Sequence, residues 1–114
     1  MALNLQPLVW EWESITTGDT FPATNITEAD HTSNLSRVRL AFFLDDAEAS
    51  SLDLDSDDTG VTINDAATWD FTIDVISVSL APGLYHYDLE TTDAAGIVST
   101  EFVGTWQILT GYTL

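Results

Sequence analysis

The chain has 114 residues, with 2 Lys+Arg against 19 Asp+Glu, a formal net charge of -17, and no cysteine. That length suits one domain, and 45% hydrophobic with 11% aromatic residues is enough for a packed core. Disulfide scaffolds and thiolate metal sites are excluded, and binding to phosphate backbones or anionic lipid is opposed by the charge.

Strand patterns fill the chain from its start. Residues 1–7, Met1 to Pro7, form an apolar N-terminal arm with Leu3 and Leu5 as candidate partner contacts. The arm lacks a basic region followed by an apolar one, so no secretory leader is expected. No apolar run reaches the roughly 18–20 residues that cross a bilayer. Leu8 to Glu13 alternates, with Leu8, Trp10 and Trp12 on one face. Thr17-Gly18-Asp19-Thr20 is turn-like, and Pro22 marks an edge or a strand start before Ala23 to Thr27. Glu28 to Ser36 is polar and reads as a loop. Arg37 to Leu44 is the clearest strand, with Val38, Leu40, Phe42 and Leu44 expected inside and Arg37 and Arg39 outside.

Asp45 to Ser51 is an acidic loop, and Leu52 to Asp55 alternates briefly. Ser56 to Gly60 is turn chemistry before a short strand at Val61 to Ile63, and Asn64 to Ala67 is a second turn. Trp69 to Val75 alternates with its apolar members expected inside. Ile76, Val78 and Leu80 keep the period of two but shift its phase by one residue, which predicts a bulge or kink near Val75-Ile76. Ala81-Pro82-Gly83 breaks the chain. Leu84 to Glu90 places Tyr85, Tyr87 and Leu89 on one face, with Tyr85 or Tyr87 suited to a corner tyrosine bonded to nearby backbone. Asp93-Ala94-Ala95-Gly96 is a hairpin connection, and Ile97 to Leu109 is a last strand expected to bend at Gly104. Residues 110–114 form a C-terminal tail with Tyr112 and Leu114 as candidate contacts. No stretch has helical periodicity, so an all-β, immunoglobulin-like β-sandwich of about seven antiparallel strands over residues 8–109 is expected, with a small barrel as the alternative.

Six segments occur in a fixed order: Gly18 to Pro22, Asn34 to Leu40, Asp58 to Ile63, Ala81 to Leu89, the Thr92 to Gly96 hairpin and Gly104 to Ile108. Together they resemble the immunoglobulin-like domain at the N-terminus of phage baseplate upper proteins, which also occurs alone as small phage proteins. The resemblance spans about residues 10–109. It implies a non-enzymatic structural protein of a tailed-phage virion, present in several copies and docking onto tail, baseplate, neck or capsid subunits. Tail or baseplate attachment is the first expectation and capsid decoration the second. A surface with 19 carboxylates is more acidic than the family leads one to expect, so its docking surface does not transfer directly.

Few residues suggest chemistry. Asp55-Ser56-Asp57-Asp58-Thr59-Gly60 resembles the start of a calcium loop, with Asp55, Asp57 and Thr59 at the first three ligand positions. The twelfth position is Ala66 where a bidentate glutamate is required, so the expectation is a turn and no metal or cofactor. Neither His31 nor His86 has a zinc signature beside it. Nucleophile motifs and phosphate-binding loops are absent. Tryptophans at positions 10, 12, 69 and 106 are expected to fill the core, although exposed aromatics would instead indicate a carbohydrate-binding module. Arg37 and Arg39 are expected to meet carboxylates on neighbouring strands. As the only lysine or arginine residues, they are also candidate contacts to a partner subunit.

Overall fold

The computed structural model describes residues 8–9, 14–28, 31–44 and 49–110. Every regular element among them is a strand. In chain order these are β1 (Leu8–Val9), β2 (Ile15–Thr16), β3 (Thr20–Phe21), β4 (Thr24–Thr27), β5 (Leu35–Leu44), β6 (Leu52–Asp55), β7 (Val61–Asp65), β8 (Asp70–Ile73), β9 (Ile76–Ser77), β10 (Gly83–Asp93) and β11 (Val98–Leu109).

The long strands form one layer. Its order is β1-β11-β10-β5-β6, with β2 beside β1 on the same edge of β11. The opposite layer is β4-β8-β7, continued by the β3-β9 pair. The two pack as a β-sandwich. One departure from an all-antiparallel design lies at the edge, where β1 and β2 both run parallel to β11.

Period-two burial explains the layers. Val38, Leu40 and Phe42 of β5 and Tyr85, Tyr87 and Leu89 of β10 are buried on one side, with Trp106 and Ile108 of β11. Facing them are Val61, Phe71, Ile73, Ile76, Val78 and Leu80. Trp106 is fully buried at 0% exposure. Phe21 of the opposite layer meets its ring edge-on at 5.3 Å, and Phe42 packs at 5.3 Å from its own layer. Burial of such faces is the main favourable term, at about 25 cal/mol per Å² of apolar surface.

The phase shift predicted near Val75 is present. Burial passes from Phe71 and Ile73 to Ile76, Val78 and Leu80. The cause is an interruption at Asp74 and Val75, opposite a matching one at Pro22 and Ala23. Register is preserved across the gap: Thr24 pairs with Ile73, and Phe21 with Ile76. Both strands therefore switch face together, which keeps Phe21 and Ile76 on the inner side. Pro22 has no N–H for the ladder, so its place in the gap costs no hydrogen bond.

Several expectations are corrected. Val75 is 59% exposed rather than inside, because the interruption turns it outward. Leu44 is 37% exposed, since it lies at the end of β5 where the sandwich opens. Trp69 is buried but sits in the turn before β8, with a positive φ of 54°. The last strand runs unbroken through Gly104, paired with Tyr87. Its irregularity falls instead where Leu89 pairs with Phe102 and Glu90 with Thr100, leaving Glu101 as the extra residue of a bulge. The turn expected at Asn64 starts later, because β7 continues to Asp65.

Two turns match their sequence. The Asp93 carboxylate accepts hydrogen bonds from the Ala95 and Ile97 amides, and Gly96 has φ +86°. The Tyr85 hydroxyl donates to the Ala81 carbonyl at 2.7 Å, the corner-tyrosine arrangement. Gly60 has φ +99°, and a Cβ there would lie 2.5 Å from Leu54 Cδ2. No larger residue fits without displacing the core. Trp106→Ala is expected to cost about 3–5 kcal/mol and Tyr85→Phe about 1 kcal/mol. Urea unfolding followed by circular dichroism checks both; equal costs would contradict the packing described.

Candidate functional site

Strand alternation puts a second set of side chains on the outer face of the large layer. Cross-strand pairing aligns them in rows: Phe43 beside His86 and Thr105, then Ala41 beside Asp88 and Val103, then Arg39 beside Glu90 and Thr100. Arg37 and Thr92 begin the next row, with Val98. Phe43, His86, Asp88, Val103 and Thr105 border a shallow depression of about 350 Å³. Its floor is formed by Gly104 and by Tyr87, whose side chain is buried on the other side. A smaller hollow of about 120 Å³ lies further along the same face, between Arg37, Arg39, Glu90, Thr92 and Val98.

The two arginines reach diagonally to β6. Arg37 Nε donates to Asp55 Oδ1 at 3.0 Å and its Nη2 to Asp55 Oδ2, a bidentate pair, with Asp57 at 3.5 Å. Arg39 Nη2 donates to Asp53 Oδ1 at 2.9 Å. The expected pairing with neighbouring carboxylates is thus present. Arg37 holds the Asp55 carboxyl below its usual range, chiefly through the hydrogen bond. Asp88 goes the other way. Partial burial raises it, with Glu90 and Asp53 adding their charge and Arg39 opposing.

The calcium candidates are placed as a turn. Asp55 Oδ1 accepts the Asp57 amide at 3.0 Å, and the Asp55 amide donates to the Thr59 carbonyl at 2.8 Å. Asp55 is committed to Arg37, so Asp55, Asp57 and Thr59 do not converge as a ligand set. Among the described residues no group of three or more His, Cys, Asp or Glu side chains could hold a metal ion. Leu3, Leu5, Tyr112 and Leu114, like Trp10 and Trp12, lie outside the described residues.

A second polar cluster closes one end of the sandwich. The Trp69 indole N–H donates to the Ser33 carbonyl at 2.7 Å, and the His31 ring stacks on Trp69 at 3.4 Å. His31 Nε2 is 3.2 Å from Glu28 Oε2. The buried Thr91 hydroxyl donates to Glu101 Oε1 at 3.0 Å, and the bulge is what brings that carboxylate there. Burial raises the Glu28 carboxyl above its usual range, and Glu101 adds to the shift; His31 lowers it. Sequence reading missed this cluster. A bulge leaves no composition signal, and nothing in the polar run from Glu28 to Ser36 marks His31 as a stacking partner.

The small layer's outer face is polar throughout. Asn25 and Asn64 side-chain amides both donate to Asp70 Oδ1 and to the Thr72 hydroxyl, and Thr62 donates to Asp74. These groups satisfy one another across the strands.

No family model, curated protein or solved structure matches the chain. The fold defines the class, an all-β sandwich, here in a chain with a net charge of -17.

The opposed shifts give a pH profile. Glu28 and Asp88 bind protons more tightly folded than unfolded, so their ionisation destabilises the fold at neutral pH and that loss is regained on acidification. Asp55 binds protons less tightly when folded; its contribution is present above its ordinary value of 3.8 and disappears as pH falls through its lower folded pKa. The melting temperature is expected to rise from pH 7 to a maximum near about pH 4–5 and to fall below about pH 3. Glu28→Gln should flatten the rise. A monotonic fall from pH 7 in differential scanning calorimetry would contradict this assignment.

Proposed function

We propose that the protein is a non-enzymatic structural component of a tailed-phage virion that docks onto other virion subunits, at the tail, baseplate or neck. The observation that carries this reading is the outer face of the large layer. It presents a depression bordered by Phe43 and Val103 on a chain whose net charge is -17. Apolar side chains gathered in a hollow with a polar rim offer a surface on which a partner can dock. The ordered motifs from Gly18 to Ile108 support the virion setting, because the fold implied by their resemblance is the β-sandwich these strands build. Repetition of the subunit on a symmetric particle lets individually weak contacts suffice.

His31 packs on Trp69, and His86 lies on the outer face beside Phe43. Carbohydrate binding through Trp69 or Trp106 is disfavoured, since both indoles are buried.

Quantitative mass spectrometry of purified particles tests the reading. The chain is expected in a fixed ratio to the tail proteins and in few copies per particle. Hundreds of copies in ratio to the major capsid protein would indicate decoration of the head instead, and absence from purified particles would overturn the virion assignment. Arg37→Ala with Arg39→Ala is expected to leave particle incorporation largely intact, because both guanidinium groups are engaged within the chain by Asp53 and Asp55. Incorporation counted by the same method checks this.

A further inference from the structure

The depression on β5, β10 and β11 has a specific chemistry. Phe43 and Val103 lie diagonally across it, and Asp88 stands between them on the central strand. Beyond Asp88 on the same face is Glu90. Among the described residues, which include both arginines and both histidines, neither carboxylate is in an ion pair. The nearest cations are already committed, Arg39 to Asp53 and Arg37 to Asp55. Asp88 is therefore a half-buried negative charge flanked by others, at the rim of an apolar hollow.

We propose that this depression receives a segment of a basic partner protein, one that places an apolar or aromatic side chain between Phe43 and Val103 and an adjacent arginine or lysine on Asp88. The proposal rests on the docking role inferred above and adds the chemistry of the partner. Charge selects the occupant. A second copy of this chain would bring a further net charge of -17 to the contact, and like charges facing each other oppose association. A cationic segment instead supplies the close ion pair that Asp88 does not form among the described residues, and such charges also speed encounter. An arginine suits the site best, because its flat guanidinium can lie along the sheet while it bonds a carboxylate. Phe43 and Val103 then provide the apolar contact in which most of the binding energy of an interface resides.

The test needs no particle, so its outcome is separate from whether the chain belongs to a virion. The isotopically labelled protein is titrated with a blocked nonapeptide of alternating arginine and valine around a central phenylalanine, and amide shifts are read by NMR. Saturable shifts are expected at Phe43, His86, Asp88, Val103 and Thr105. Asp88→Asn should weaken binding by about tenfold, as should serine in place of the peptide's phenylalanine. The same peptide with glutamate for arginine should not bind. Phe43→Ser should also weaken binding; if that variant does not fold, Thr105→Gln, which fills the hollow from the surface, serves in its place. Shifts spread equally over Asp57, Asp70 and Asp74, with affinity unchanged in Asp88→Asn, would overturn the proposal. So would concentration-dependent dimerisation of the free protein through these same residues.

Discussion

Closure of two apolar sheet faces over Trp106 is the interaction on which everything else depends. A chain with a net charge of -17 is pushed apart by its own surface, and physiological salt screens that repulsion only beyond about 8 Å. What opposes it is the burial of Val38, Leu40, Phe42, Phe71, Ile73, Leu89 and Ile108 on the inner faces. Among the described residues most carboxylates lie on outer faces and turns, Glu28 and Glu101 at the end of the sandwich being the partly buried exceptions. Phe21 against Trp106 is one of the contacts that tie one layer to the other.

That division of the residues leaves the outer faces to do different things. On the small layer, asparagine, aspartate and threonine side chains satisfy one another in a flat array. On the large layer, the two arginines are engaged by β6, and Asp88 beside the apolar hollow is in no ion pair among the described residues. Pairing of the arginines within the chain has a consequence for recognition. It engages both guanidinium groups with Asp53 and Asp55 and leaves Asp88, beside the hollow, without an ion pair among the described residues, which favours a basic partner over a second copy of the same chain.

The interrupted pair of strands shows how local chemistry and long-range packing combine. Pro22 and Val75 would each weaken a continuous ladder, one by lacking a donor and the other by breaking the alternation. Placed opposite each other in one gap, they allow both strands to switch face without loss of register. The bulge at Glu101 acts similarly at the other end, where it turns a carboxylate toward Thr91 and Glu28.

Much of this was legible from alternation alone. The core set on β5 and β10, the outward arginines, the Tyr85 corner and the Asp93 hairpin follow from period two and turn chemistry, because a strand with one buried face has no other register open to it. The switch of phase near Val75 was legible for the same reason. The parallel placement of β1 and β2, the bulge at Glu101, the stacking of His31 on Trp69 and the hollow between Phe43 and Val103 were not. Each depends on which strands lie side by side, and a sequence pattern reports which face a residue takes but not its neighbour across the ladder. Sequence by itself determined the strands, their inner faces and the acidity of the surface; only the tertiary structure decided which carboxylates the arginines neutralise and which remain free beside an apolar hollow.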